Sequence, residues 1–201
     1  MPAKRTAVLP EIYQLKVTLL GTSPPIWRRL LVPADLTLAL LHDVLQAAMG
    51  WQNCHMHEFS VGRRHFGQPH PDDRLMGMPP VENERTVRLA GILGRVGAKA
   101  LYTYDLGDSW EHGIVLEKRL PVGLNMTYPV CTDGQLACPP EDCGGIPGFY
   151  DFVEAINDPK HERHEEMRDW IGDDYDPRAF SIDKINRLLT PMRRRRKAQK
   201  S

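Results

Sequence analysis

Two histidines separated by a single residue, His55 and His57, are the first place in this sequence where chemistry could be built. On an extended chain alternate side chains share a face, so both imidazoles would project together, able to ligate one metal ion or grip one anion. Further along, Asp105, Asp108 and His112 crowd a single segment. Docked beside the histidines they would complete a mixed nitrogen and oxygen site for zinc, manganese or iron, in which the ion activates water and the carboxylates serve as ligands or general base. The competing reading has Asp105 and Asp108 fixing a turn through backbone amides, with the histidines in a hydrogen-bonded layer over the core.

Cys131, Cys138 and Cys143 form a second group, spaced C-x6-C-x4-C in a Pro/Gly-rich stretch. Thiolates this close could bind structural zinc, with His112, His161, His164 or Asp142 as the fourth ligand. The spacing is not that of a C-x2-C knuckle, and small buried cysteines or a redox pair of Cys131 and Cys138 compete with it. Cys54 beside His55 suggests a nucleophile pair, but no oxyanion-hole signature accompanies it. Trp27, Arg28, Trp110 and Glu111 are candidates for contact with a partner. Trp27, Arg28 and Arg29 should alternate across a strand, one arginine facing a carboxylate and the other solvent.

The elements that must position these residues follow from periodicity. Ile12–Leu20 alternates apolar and polar residues, and Ile26–Val32 resumes after a turn-rich segment, so the two predict an antiparallel hairpin. Asp35 or Thr37 can cap a helix carrying Leu38, Leu41, Leu45 and Ala48, which Gly50 would end. Met56–Val61 reads as a strand, with a tight turn at Gly62-Arg63-Arg64 leading to His65-Phe66. Residues 67–83 read as an exposed connection and Thr86–Leu93 as a short helix or helical turn. Lys99–Asp105 and Trp110–Leu120 predict a second hairpin. Residues 128–150 show no periodicity, and so long a stretch is usually functional, cross-linked or misread. Helices are expected over 148–157, 160–171 and 181–189. The run from His161 to Glu166, with Glu162 and Glu166 on one face, reads as an acidic, solvated helix surface whose partner would be basic.

The whole is an α+β reading: a mixed sheet of two β-hairpins packed on a short amphipathic helix, compatible with a β-grasp-like arrangement, followed by C-terminal helices. Residues 10–190 are expected to form one such domain and 191–201 a basic disordered tail. The 201 residues hold 26 basic and 26 acidic side chains. Six of the basic ones (Arg193, Arg194, Arg195, Arg196, Lys197, Lys200) fall in the last eleven positions, which leaves 20 against 26 in residues 1–190. A mildly acidic body does not suit a nucleic-acid grip, although the tail could touch phosphates weakly. No apolar run reaches the ~20 residues of a membrane span, and no signal-peptide pattern opens the chain, so the expected place is the cytoplasm, with reduced thiols.

Six separated motifs carry a resemblance: Pro24-Pro25-Ile26-Trp27-Arg28-Arg29; Leu41-His42-Asp43-Val44-Leu45-Gln46 with Met49-Gly50-Trp51; His55-Met56-His57-Glu58-Phe59; Tyr104-Asp105-Leu106-Gly107-Asp108-Ser109-Trp110-Glu111-His112; Ala137-Cys138-Pro139-Pro140-Glu141-Asp142; and Asp158-Pro159 before the His161–Glu166 run. Over about Ile12 to Leu189 the chain resembles the plasmid pRiA4b ORF-3-like family. The resemblance implies a bacterial or archaeal protein of plasmids or insertion elements, in a family with no established activity and with some members labelled transposon resolvase. A serine recombinase would need an activated serine supported by arginines, and no such constellation can be picked out here. Leu106 stands where the family pattern has Phe, and Cys143 where relatives often have an apolar residue. The leading expectation is a non-catalytic binding or interaction module with a protein or nucleic-acid partner and no membrane. The alternatives are a metal-dependent hydrolase or nuclease at the His/Asp cluster, with zinc as the cofactor to test, and an accessory DNA-binding protein of a transposition system.

Overall fold

Alternation along the first strand is realised face by face: Tyr13, Leu15, Val17 and Leu19 are buried, while Gln14, Lys16 and Thr18 lie on the half-buried opposite face. The computed structural model describes residues 11–70, 80–124, 126–172 and 174–193. Its strands are β1 (Glu11–Leu19), β2 (Ile26–Pro33), β3 (His57–Val61), β4 (Arg64–Gly67), β5 (Val81–Asn83), β6 (Lys99–Tyr104), β7 (Trp110–Pro121) and β8 (Val130–Gln135). Together they form one eight-stranded sheet in the order β5-β4-β3-β6-β7-β1-β2-β8. All neighbours are antiparallel except β4 and β5. The mixed α+β architecture is therefore as expected, with the two hairpins β1–β2 and β6–β7 joined side by side through β1 and β7.

Helix α1 (Leu38–Met49) begins where Thr37 accepts a hydrogen bond from the Leu40 amide and ends at Gly50, whose φ of 91° only glycine adopts readily. It lies across the sheet, reaching Tyr102 of β6 through His42 and Gln46, while its Ala48 carbonyl meets Arg28 of β2. Helices α2 (Gly145–Asn157), α3 (His164–Ile171) and α4 (Ile182–Leu188) complete the fold, α3 packing on α2 and α4 on α1 and β8. Gly145 is required: its φ is positive, and a Cβ there would sit 2.7 Å from the Asp108 carbonyl, so the β6–β7 turn presses directly on the start of α2.

Several boundaries differ from the sequence expectation. The connection over 67–83 contains β5, too short for periodicity to reveal; residues 71–79 lie outside the described residues. The stretch over 128–150 contains β8 and the start of α2. The strand is hidden because Gly134 sits where a Cβ would be 2.7 Å from the Trp27 carbonyl, and a register shift interrupts the pairing at Arg29/Leu30. Helix α3 starts at His164 rather than 160, so His161 and Glu162 precede it and Glu162 does not share a helix face with Glu166. Of the expected tail, residues 194–201 lie outside the described residues, whereas Arg193 bonds the Pro129 carbonyl and the Asn186 side chain.

On the edge strand β8, Asn186 of α4 accepts from the Cys131 amide and donates to the Cys131 carbonyl, so both peptide groups of that residue are satisfied by one side chain. The outer face carries a polar ladder in which Arg29 bridges Glu117 of β7 and Asp133 of β8. Glu117 is held below the usual carboxylate range chiefly by the Arg29 hydrogen bond.

Candidate functional site

The two histidines that opened the reading part company. Strand β3 begins at His57, and His55 sits in the bend before it, so the shared strand face does not exist. His57 turns inward, 4% exposed, and its Nε2 donates to Glu84, itself 2% exposed, at 2.7 Å. The His42 ring stacks on it at 3.5 Å with 4° between planes. Burial, with the His57 ring beside it, pulls the His42 imidazole down to about 4, so it is neutral. Burial alone would raise Glu84, but the hydrogen bond from His57 and the two nearby rings hold it net below its ordinary value.

Around this stack the polar groups close a ring. His42 Nε2 donates to Asn53 Oδ1 at 2.6 Å, the Asn53 amide donates to Gln46 Oε1, Gln46 donates to the Tyr102 hydroxyl, and that hydroxyl donates back to His42 Nδ1 at 2.8 Å. Burial raises the Tyr102 hydroxyl, which stays protonated. Asn53, at φ 59°, is the left-handed residue this ring holds in place. His42 and Gln46 lie on the core face of α1 at i, i+4. Reading only the apolar residues of that helix missed them, although their polarity amid Leu41, Val44 and Leu45 was a signal.

A second cluster lies just outside, where the loop after α1, the β6–β7 turn and the 136–144 loop meet. Tyr104 donates to Glu141 and accepts from the Cys54 amide, Gln52 N–H donates to Glu141, and Cys54 Sγ lies 3.6 Å from the same carboxylate. His55 stands between two aspartates: Nδ1 is 3.7 Å from Asp105 and Nε2 is 3.1 Å from Asp142. The approach to Asp142 is too oblique for a hydrogen bond, so Nε2 is shielded from solvent and unpartnered. Potential ligand atoms of Cys54, His55 and Glu141 lie within 4.8 Å of one another, as do those of His55, Asp105 and Asp142. The structure thus brings together His55 and Asp105 of the expected set and adds Glu141 and Asp142.

The remaining candidates are placed elsewhere. Asp108 Oδ2 accepts from the Gly144 amide, tying the turn to α2. Asp105 does fix that turn, its Oδ1 accepting from the Gly107 and Asp108 amides. His112 is wholly buried against Trp51 and Tyr102, and burial lowers it to about 4. The cysteines are free thiols that do not converge: Cys131 is buried on β8, Cys138 Sγ lies beside Met49 Sδ, and among the described residues no three-ligand group includes them or Cys143. Burial raises all three thiols, Cys143 to about 12. Of the two arginines after Trp27, Arg29 faces carboxylates as expected. Arg28 does not reach solvent: it is 3% exposed, bonded to the Ala48, Trp27 and Gln135 carbonyls and Cys138 Sγ. Trp110 is fully buried and Glu111 exposed, so they do not form one surface.

Beside the second cluster opens a cleft of about 590 Å³, between the end of α1, the 137–142 loop and helices α3 and α4. Its apolar walls include Trp51, Phe180 and the exposed Trp170 and Leu188. Glu141, Asp142, Asp174 and Asp176 border it, against the cations Lys184 and Arg28, the latter already saturated by carbonyls.

Comparison with known proteins agrees with this architecture. The family model described as plasmid pRiA4b ORF-3-like protein matches residues 11–184. The uncharacterized protein y4hQ of Sinorhizobium fredii is 41% identical over 181 residues, covering 89% of this chain and 91% of that protein. The crystal structure of the protein of unknown function MM3350 from Methanosarcina mazei Go1 superposes with a TM-score of 0.79 at 35% identity, covering 88% of this chain and 98% of that one.

Proposed function

This chain belongs to the plasmid pRiA4b ORF-3-like family, and from that premise we propose that it is a binding module whose cleft takes a basic, partly apolar polypeptide segment. The observation that supports this is the composition of the cleft. Four carboxylates border apolar walls in a volume of ligand-binding size, with Trp170 and Leu188 left 47% and 45% exposed. Exposed tryptophan and leucine beside like-signed charge suit a partner that brings apolar anchors and positive charge together. Nucleic acid is disfavoured, because phosphates would approach these carboxylates. Among the described residues no helix is long and apolar enough to cross a membrane.

The test is fluorescence polarisation with a labelled arginine- and leucine-rich peptide, in chelator-containing buffer. Binding should weaken at least about tenfold in Trp170→Ala and in Asp174→Asn/Asp176→Asn, and fall with added salt. Equal binding of a glutamate- and leucine-rich peptide, or tighter binding of duplex DNA, would overturn the reading.

A further inference from the structure

We propose that His55, Asp105 and Asp142, whose potential ligand atoms lie within 4.8 Å of one another, hold a divalent transition-metal ion at the lip of the cleft. The geometry begins with His55 Nε2, a nitrogen shielded from solvent with no hydrogen-bond partner, yet 3.1 Å from a carboxylate oxygen of Asp142. That separation is close to the one two ligands take on a shared ion: with bonds of about 2.0–2.2 Å, tetrahedral neighbours stand roughly 3.3–3.5 Å apart. The buried Nε2 of His112 also lacks a hydrogen-bond partner, but it is packed among the Trp51 and Tyr102 rings, whereas His55 Nε2 faces a carboxylate.

Asp105 is held in place beside the other ring nitrogen. Nδ1 looks toward Asp105 Oδ2 at 3.7 Å, and Asp105 is itself fixed because its Oδ1 caps the turn amides of Gly107 and Asp108. Glu141, which groups with Cys54 and His55 separately, is anchored beside the site by Tyr104 and the Gln52 amide. Three carboxylates gathered on one imidazole favour a cation. An imidazole with carboxylates suits zinc, manganese or ferrous iron. Asp142 is 70% exposed along its side chain, so the ion would keep positions open to solvent and to the cleft. The site shares Asp142 with the border of the cleft, and the peptide titration above, run with chelator, fails or succeeds without the ion.

The probe is zinc chloride, titrated calorimetrically into chelator-treated full-length protein. One ion per chain is expected, with affinity reduced at least about tenfold in His55→Ala and in Asp142→Asn, and unchanged in Cys131→Ser. Thermal melts establish that each variant is folded, and Asp142, on the surface, gives a variant that does not depend on core packing. No uptake by the wild type at millimolar zinc, unaltered affinity in either His55→Ala or Asp142→Asn, or loss of the ion in Cys131→Ser would each overturn the assignment.

Discussion

The two histidine clusters lie side by side and are built on opposite principles. Around His42 the hydrogen bonds close a ring through Asn53, Gln46 and Tyr102, between α1 and β6, with the His57–Glu84 pair stacked beside it. Around His55 the chain gathers carboxylates and leaves a ring nitrogen without a partner. A closed polar network rigidifies its packing, since any broken member leaves another buried and unsatisfied. An open cluster contributes little to folding and keeps its bonding capacity for something outside the chain. The same residue type, two positions apart in sequence, serves either purpose according to how its neighbours are satisfied.

Removal of the buried His57–Glu84 pair should be the most destabilising change. Replacing Glu84 by Ala leaves His57 buried without its partner and should cost about 3–5 kcal/mol, lowering the melting midpoint by roughly 10 °C in a chain of this size. Thermal melts that move by only a degree or two would show that the network is not structural.

Acid should reveal the same region. His42 and His112 are both held near 4 in the folded protein against 6.5 ordinarily, so between these values the unfolded chain binds protons that the native state refuses. Their contribution is complete above about pH 6.5 and is lost as pH falls toward 4, at up to about 1.4 kcal/mol per pH unit for each histidine. Glu84, lowered below its ordinary value, adds a further loss at still lower pH. Urea unfolding at pH 7 and pH 5 should differ by about 2–4 kcal/mol. In His112→Phe the difference should shrink, and an unchanged difference would remove that residue from the explanation.

Opening the ring at one link is a milder test. Gln46→Leu preserves size but strands the Asn53 amide and removes a donor to Tyr102, for an expected cost of about 1–3 kcal/mol in chemical denaturation. The smallest effect belongs to the open cluster: Asp142→Asn should alter stability by no more than about 0.5 kcal/mol. A loss several times larger would mean that this cluster, too, holds the fold together.

Much of the fold was legible because half-buried strands and amphipathic helices write their periods directly: β1, β2, β6, β7 and the Thr37 and Gly50 caps of α1 lie where alternation and capping residues put them. β8 was not legible, since its Gly134 answers to the Trp27 carbonyl of another strand, which no local pattern encodes. The candidate site was half legible. His55 and Asp105 were visible as residue types, but Glu141 and Asp142 reach them only through a loop distant in sequence. The assumption that His55 continues the strand of His57 failed because a left-handed turn at Asn53 and the Tyr104 hydroxyl redirect the chain before β3 begins. Arg28 misled for a similar reason: three carbonyls from three segments replace the counter-ion that charge alone would call for.

The amide of Asn186 has a consequence for molecules in bulk. An edge strand with free peptide groups is a template on which a second chain can zip, and repeated pairing of that kind leads to fibrils. At Cys131 the side-chain amide stands where the backbone of an incoming strand would have to bond, donor facing acceptor and acceptor facing donor. At that residue an incoming strand finds both bonding positions already taken.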